Sequence, residues 1–192
     1  KVAASKLDAK TGFTVRDPDG TVIRFVPSIK NDAAVSRAAI STHLEHIGVL
    51  VNRANVDAAR RFYKEILGLR DYWEYAPNGR LRLIKYVFNG TRPDIVELMI
   101  HDGNLTRGQI GSMNHINLAV SDIHHTHRTL VARGAKAPTP IVNAEDLWAM
   151  NLFDPDGTRT EIQVIRKMPA AAILDDKFHA RDAWVLSNGL MR

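Results

Sequence analysis

HINLAV, residues 115–120, and its near copy HIGVLV, residues 46–51, are the stretches that decide the fold. Both alternate with the two-residue period of a β-strand, and two copies of one strand predict two copies of one module. In the earlier copy Ile47, Val49 and Val51 oppose His46, Gly48 and Leu50; in the later one Ile116, Leu118 and Val120 oppose His115, Asn117 and Ala119. The β-branched and leucine face predicts a helix packed on it. The other face, with a histidine at the strand start, is left to meet a ligand.

Each strand has a later counterpart that carries a carboxylate. In IVELMIH, residues 95–101, Val96, Leu98 and Ile100 oppose Glu97, Met99 and His101, and in TEIQVI, residues 160–165, Ile162 and Val164 oppose Glu161 and Gln163. A glutamate in mid-strand is costly to bury unless it is paired or binds a metal. By parity both glutamates share the histidine face. His46, Glu97, His115 and Glu161 thus form one candidate site, two imidazoles and two carboxylates suited to a divalent ion such as Zn, Ni, Co, Mn or Fe. The plainer reading of Glu97 is an ion pair with Arg82 or Lys85 on the neighbouring strand.

Between these strands the pattern reads β-α-β-β-β twice. After the first strand, Asn52 or Asn55 opens a helix with Val56, Ala59, Phe62 and Ile66 on its apolar side and Gly68 as its stop. Strands follow over 69–75, 81–88 and 94–101, with turns at Pro77-Asn78-Gly79 and Asn89-Gly90. In the second copy Asp122 caps a helix carrying Ile123, Leu130 and Val131 and closing at Gly134; short strands over 141–143 and 148–153 and a last one over 158–166 complete it. Residues 102–112, with three glycines, read as a linker. Asp17-Pro18-Asp19-Gly20 recurs as Asp154-Pro155-Asp156-Gly157, and both read as turns whose aspartates face solvent. The expected organisation is a β-hairpin in residues 1–27, read as the tail of a truncated upstream module, a linker over 28–44, βαβββ modules over 45–102 and 113–166, and a C-terminal tail over 167–192.

The 192 residues carry a formal charge of +5 and no cysteine. Any metal is therefore held by nitrogen and oxygen. The positive charge is dispersed, without the basic stripe or aromatic interleaving that nucleic-acid binding needs. No apolar run approaches the roughly 20 residues of a membrane span. Absence of cysteine does not fix the compartment, which stays open with the cytoplasm favoured. His124, His125 and His127 fall on the predicted second helix and read as surface or packing residues, and His101 as a strand-end surface residue. Tyr86, Met99, Asn117, Trp148, Met150 and Gln163 are either cavity lining or ordinary core.

HIGVLV followed by DAARRFYKEILGL (57–69), the second opening HINLAV, and the closing FDPDGTRTEIQ (153–163) resemble the vicinal oxygen chelate superfamily, which includes glyoxalase I, extradiol dioxygenases, methylmalonyl-CoA epimerase and bleomycin-resistance proteins. The resemblance spans about residues 45–166. It implies an α+β fold of paired βαβββ modules whose sheets curl into an open half-barrel, with a divalent metal on the concave face. It places the ligands on the first and last strands of each module, here His46, Glu97, His115 and Glu161. In the upstream hairpin Arg24 stands where the matching position after Gly157 holds Glu161, so an upstream half would lack this ligand.

The implied function is a metal-dependent enzyme that binds a small substrate through vicinal oxygens. Glyoxalase- or epimerase-like proton transfer is favoured, with Glu161 or Glu97 shuttling the proton. One alternative is a non-haem iron extradiol dioxygenase with His46, His115 and Glu161 as its triad; against it, residues 147–153 offer neither the acid-base histidine nor the tyrosine such enzymes use. The other is a non-catalytic ligand-binding protein of the bleomycin-resistance kind. The modules pair within one chain, across a homodimer, or with a missing N-terminal half.

Overall fold

The computed structural model describes residues 12–26, 39–41, 44–88, 94–143 and 145–164. The predicted terminal tails, the connector around 28–38 and the Asn89-Gly90 turn lie outside these residues. The chain is α+β and divides into two compact units, residues 1–36 with 47–114, and residues 37–46 with 115–192.

The first unit begins with a hairpin of β1 (Phe13–Arg16) and β2 (Val22–Phe25), where Phe13 stacks on Phe25 with ring centroids 4.8 Å apart. Gly12 precedes it with φ at +78°, and a Cβ there would lie 1.8 Å from the Phe25 carbonyl oxygen, so only glycine fits. The turn departs from expectation. Asp17 is buried, and its carboxylate accepts from the Asp19 and Thr21 amides and from the Tyr63 hydroxyl. It ties the hairpin to a helix 46 residues downstream instead of facing solvent.

β3 (Leu44–Asn52) leads into a short helical turn capped by the Asn52 side chain, then α1 (Val56–Arg60), which continues as a π-helical stretch, Arg61–Ile66. The wider turn, closed by Leu67 N–H donating to the Phe62 carbonyl, shifts the apolar face. Phe62 and Tyr63 are both buried, while Ile66, expected on the apolar side, is 52% exposed. Strands β4 (Arg70–Tyr75), β5 (Leu83–Val87) and β6 (Ile95–His101) complete a sheet in the order β4-β5-β6-β3. One face, with Val49, Val51, Ile84, Tyr86, Leu98 and Ile100, packs on Ala59, Phe62 and Tyr63. Each large side chain buried there stabilises the unit by about 1.5–3 kcal/mol.

Residues 102–112 are not merely a linker. They hold most of α2 (Arg107–Met113), opened by Thr106 and Gln109 as a reciprocal capping box whose T-x-x-Q spacing was present in the sequence.

In the second unit β7 (His115–Val120) is followed by α3 (Ile123–Ala132), capped by Asp122, then β8 (Ile141–Val142), β9 (Trp148–Phe153) and β10 (Arg159–Val164), in the sheet order β7-β10-β9-β8. The first strand again lies beside the last, as β3 lies beside β6. Val120, Trp148, Met150, Ile162 and Val164 pack with Ile123 and Leu130, so the apolar parity of this sheet faces α3 as the alternation predicts. At the strand starts it fails. Ile47 and Ile116 are 44% and 42% exposed, whereas His46 and His115 are 1% and 4% exposed. The polar face is the more deeply covered one there.

Candidate metal centre

The second unit's polar face is assembled by strand register. Parallel pairing of β10 with β7 sets Arg159 opposite His115, Glu161 opposite Asn117 and Gln163 opposite Ala119. Antiparallel pairing of β10 with β9 sets Glu161 opposite Asn151 and Gln163 opposite Ala149. His46 joins from the start of β3, within the same unit.

Three donor groups converge here. His46 Nε2 lies 3.0 Å from His115 Nε2, and Glu161 Oε2 lies 3.2 Å from His115 Nε2 and 3.6 Å from His46 Nε2. One ligand atom from each residue falls within a 4.8 Å group. Burial would push the Glu161 carboxyl up, but the hydrogen bonds and charge of His115 and His46 outweigh it and hold the group well below the usual carboxylate range. Asn117, fully buried, donates from Nδ2 to Glu161 Oε2 at 3.0 Å and to Gln163 Oε1 at 2.8 Å.

The donor set fits a divalent transition metal. Two imidazole nitrogens and one carboxylate oxygen meet at one point, and without thiolates they suit Zn, Fe, Co, Ni or Mn. His46 Nδ1 contacts the Glu45 carboxylate, the outer contact that orients a ligating imidazole. His115 Nδ1 faces the buried Arg159 guanidinium.

Of the four residues expected from the sequence, His46, His115 and Glu161 are brought together. Glu97 belongs to the other unit, where its carboxylate lies 3.4 Å from the Lys85 ammonium and both are buried. Asn117 and Gln163 share the histidine face, whereas Trp148, Met150 and Tyr86 sit in the apolar cores. His124 packs edge-on against Trp148, and His127 lies 3.3 Å from the Ala137 carbonyl. His101 is half-buried at the end of β6. Arg159, Asn151 and Glu45 were not singled out. Arg159 was within reach, being two residues before Glu161 on the same strand face; Asn151 needed the β9 register.

The fold and this buried set of nitrogen and oxygen donors define a protein of the glyoxalase/dioxygenase-like α+β class. The chain belongs to the Glyoxalase/Bleomycin resistance protein/Dioxygenase superfamily, whose sequence profile matches residues 43–162. No curated protein matches it. Among solved structures it is similar to the 2,3-dioxygenase LapB from Pseudomonas sp. KL28, with 14% identity and a TM-score of 0.62 over 85% of this chain and 62% of that one. Homoprotocatechuate 2,3-dioxygenase from Arthrobacter globiformis matches at 18% identity and a TM-score of 0.59, over 85% of this chain and 53% of that one. Methylmalonyl-CoA epimerase from Mycobacterium tuberculosis matches at 17% and 0.52, over 72% of this chain and 96% of that one. The chain thus spans less than two thirds of the two dioxygenases, and at these identities the likeness is one of fold. No helix among the described residues is long and apolar enough to cross a membrane.

Proposed function

We propose that the chain is a metal-dependent enzyme that takes a small substrate through two neighbouring oxygens, with His46, His115 and Glu161 holding the ion. The observation that carries this is the convergence of two imidazole Nε2 atoms and one carboxylate oxygen on a buried sheet face. When bound, the ion supplies a Lewis-acidic centre and, as iron(II), a redox one. Asn117 holds the Glu161 carboxylate in register, and Glu45 holds the His46 ring. The two βαβββ runs are read as copies of one module, in keeping with their matching strand orders.

Of the two chemistries this class offers, ring-cleaving oxygenation at iron(II) suits the donors better than proton transfer, the reading favoured from sequence, although residues 147–153 hold neither histidine nor tyrosine and an acid-base group would have to come from elsewhere. Two histidines and one carboxylate form the iron(II) triad, and the second carboxylate that a proton shuttle would use, Glu97, faces Lys85. Glu97 is accordingly left out of the proposed ligand set. The similarity to two dioxygenases over 85% of the chain supports this choice. Glyoxalase- or epimerase-like proton transfer is the second reading, favoured by the epimerase matched over 96% of its length. It asks Glu161 to serve as both ligand and base.

The test is metal analysis by mass spectrometry of the purified protein and of His46→Ala and His115→Ala variants, followed by oxygen uptake with a catechol panel after anaerobic iron(II) loading. About one ion per chain, lost in both variants, with oxygen uptake, supports the first reading. Solvent-deuterium exchange into 2-hydroxycarbonyl or acyl-thioester substrates without oxygen uptake supports the second. No ion in any form, even after reconstitution, would sink both and leave a ligand-binding protein of the bleomycin-resistance kind.

A further inference from the structure

Two asparagines flank Glu161 on the same face of the second unit's sheet, Asn117 opposite it on β7 and Asn151 opposite it on β9. Asn117 is 0% and Asn151 7% exposed. The Asn117 amide is fixed in orientation, because its Nδ2 meets two acceptors, Glu161 Oε2 and Gln163 Oε1. Gln163 is turned in the matching sense, its Nε2 lying 3.4 Å from Glu145 Oε2. Asn117 Oδ1 is therefore an acceptor, and it is buried without a hydrogen-bond partner among the described residues. Asn151 Oδ1 is in the same condition.

Folding alone does not favour this arrangement. An unsatisfied buried acceptor is a cost that an apolar side chain of the same shape avoids, and here two of them stand on either side of one carboxylate. Beside them, Ala119 and Ala149 put only methyl groups opposite Gln163. The pattern is that of a surface completed by a ligand carrying donors.

We infer that Asn117 Oδ1 and the Asn151 amide form a proton-reading subsite, accepting hydrogen bonds from an O–H or N–H of the substrate next to the oxygens it offers to the ion. The inference rests on the metal reading above and narrows its substrate class. A vicinal-oxygen compound that keeps one proton, such as a 2-hydroxycarbonyl, a catechol monoanion or a hydroxamate, satisfies both amides. Oxalate offers neighbouring oxygens and no proton, so it gives Asn117 Oδ1 and Asn151 Oδ1 nothing to accept. Asn117 touches Glu161 as well, and Asn151 is therefore the cleaner position to perturb.

The experiment uses the full chain loaded with Co(II), titrated separately with acetohydroxamic acid and with oxalate and followed by visible absorption, for the wild type, Asn151→Val and Asn151→Ser. The expected result is a loss of about tenfold in acetohydroxamate affinity for Asn151→Val, with oxalate and Co(II) affinities held within about twofold. Asn151→Ser, which keeps an acceptor on a shorter arm, recovers part of the loss. Equal changes for both probes, or none for either, would overturn the inference. Should Asn151→Val not fold, Asn151→Ser decides: a loss of about threefold or more confined to acetohydroxamate supports the inference, and its absence overturns it. Failure of the wild type to bind Co(II) removes the metal reading and this inference together, whereas Co(II) bound without selective loss removes the inference alone.

Discussion

Replacing Asn117 by leucine tests how the candidate centre is held. Asn117 donates from one nitrogen to Glu161 Oε2 at 3.0 Å and to Gln163 Oε1 at 2.8 Å, so leucine strands a carboxylate and an amide oxygen at once. A hydrogen bond to a charged group contributes about 1.5–3 kcal/mol, which corresponds to roughly tenfold to a hundredfold in an equilibrium constant. Loss of an outer contact to a metal ligand costs a similar 10–100-fold in metal affinity. Leucine also removes the unpartnered Asn117 Oδ1, which offsets part of the folding cost. The expected outcome is Co(II) affinity about tenfold to a hundredfold weaker, with stability lowered by only about 1–2 kcal/mol. Competition against a chromophoric chelator measures the first and urea unfolding the second. An affinity within about twofold of wild type in a folded variant would refute the view that Asn117 orients Glu161. Asn117→Asp adds the contrast of charge, since a second carboxylate beside Glu161 lowers metal-free stability and makes it strongly dependent on added Co(II).

Arg159→Gln is expected to tighten Co(II) binding about tenfold, because it removes a buried cation beside His115 Nδ1; unchanged or weaker binding in a folded variant counts against this electrostatic reading. Lys85→Met leaves the buried Glu97 facing an apolar group and should cost about 3–5 kcal/mol in urea unfolding, most of it recovered in the Lys85→Met, Glu97→Leu double variant. Burial pushes the Asp17 carboxyl above its ordinary 3.8, with the Tyr63 and Thr21 hydrogen bonds pulling partly back. The folded state therefore favours the protonated form: stabilisation from this group is full below that ordinary value and lost as pH rises through the raised one. Asp17→Asn should accordingly flatten stability against pH through the mildly acidic range, while Tyr63→Phe steepens it and costs about 1–3 kcal/mol at neutral pH; identical pH profiles in all three proteins would contradict the assignment.

The strand and helix pattern was legible because each element carries its own period. Val120, Ile162 and Val164 face α3 as their alternation dictates, and Asn52, Asp122 and Gly68 act where capping chemistry places them. The misses have local causes with non-local consequences. The π-helical stretch rotates Tyr63 inward and Ile66 outward, and nothing in RFYKEI announces the extra residue in its turn. Asp17 is drawn inside by Tyr63, a partner supplied from another element. The helix over 107–113 was hidden by its glycines, although its capping box stood in the sequence.

The candidate centre divides along the same line. Parity assigns His115 and Glu161 to faces of their strands from local sequence alone, but which residues touch depends on register between strands far apart in the chain. Asn117 and Glu161 are 44 residues apart, His46 and His115 are 69 apart, and only strand pairing sets Arg159 beside His115 and Asn151 beside Glu161. Glu97 shows the limit of parity: it has the predicted face and burial, yet Lys85 directly across the β5–β6 ladder gives it a salt partner. β10 combines both kinds of information. Ile162 and Val164 supply the core on one side, while Arg159, Glu161 and Gln163 are buried on the other at a desolvation cost that apolar residues would not incur. A strand selected for folding alone would carry apolar residues on both buried faces, so under the proposed metal reading the polar side of β10 is where substitutions should separate binding from folding.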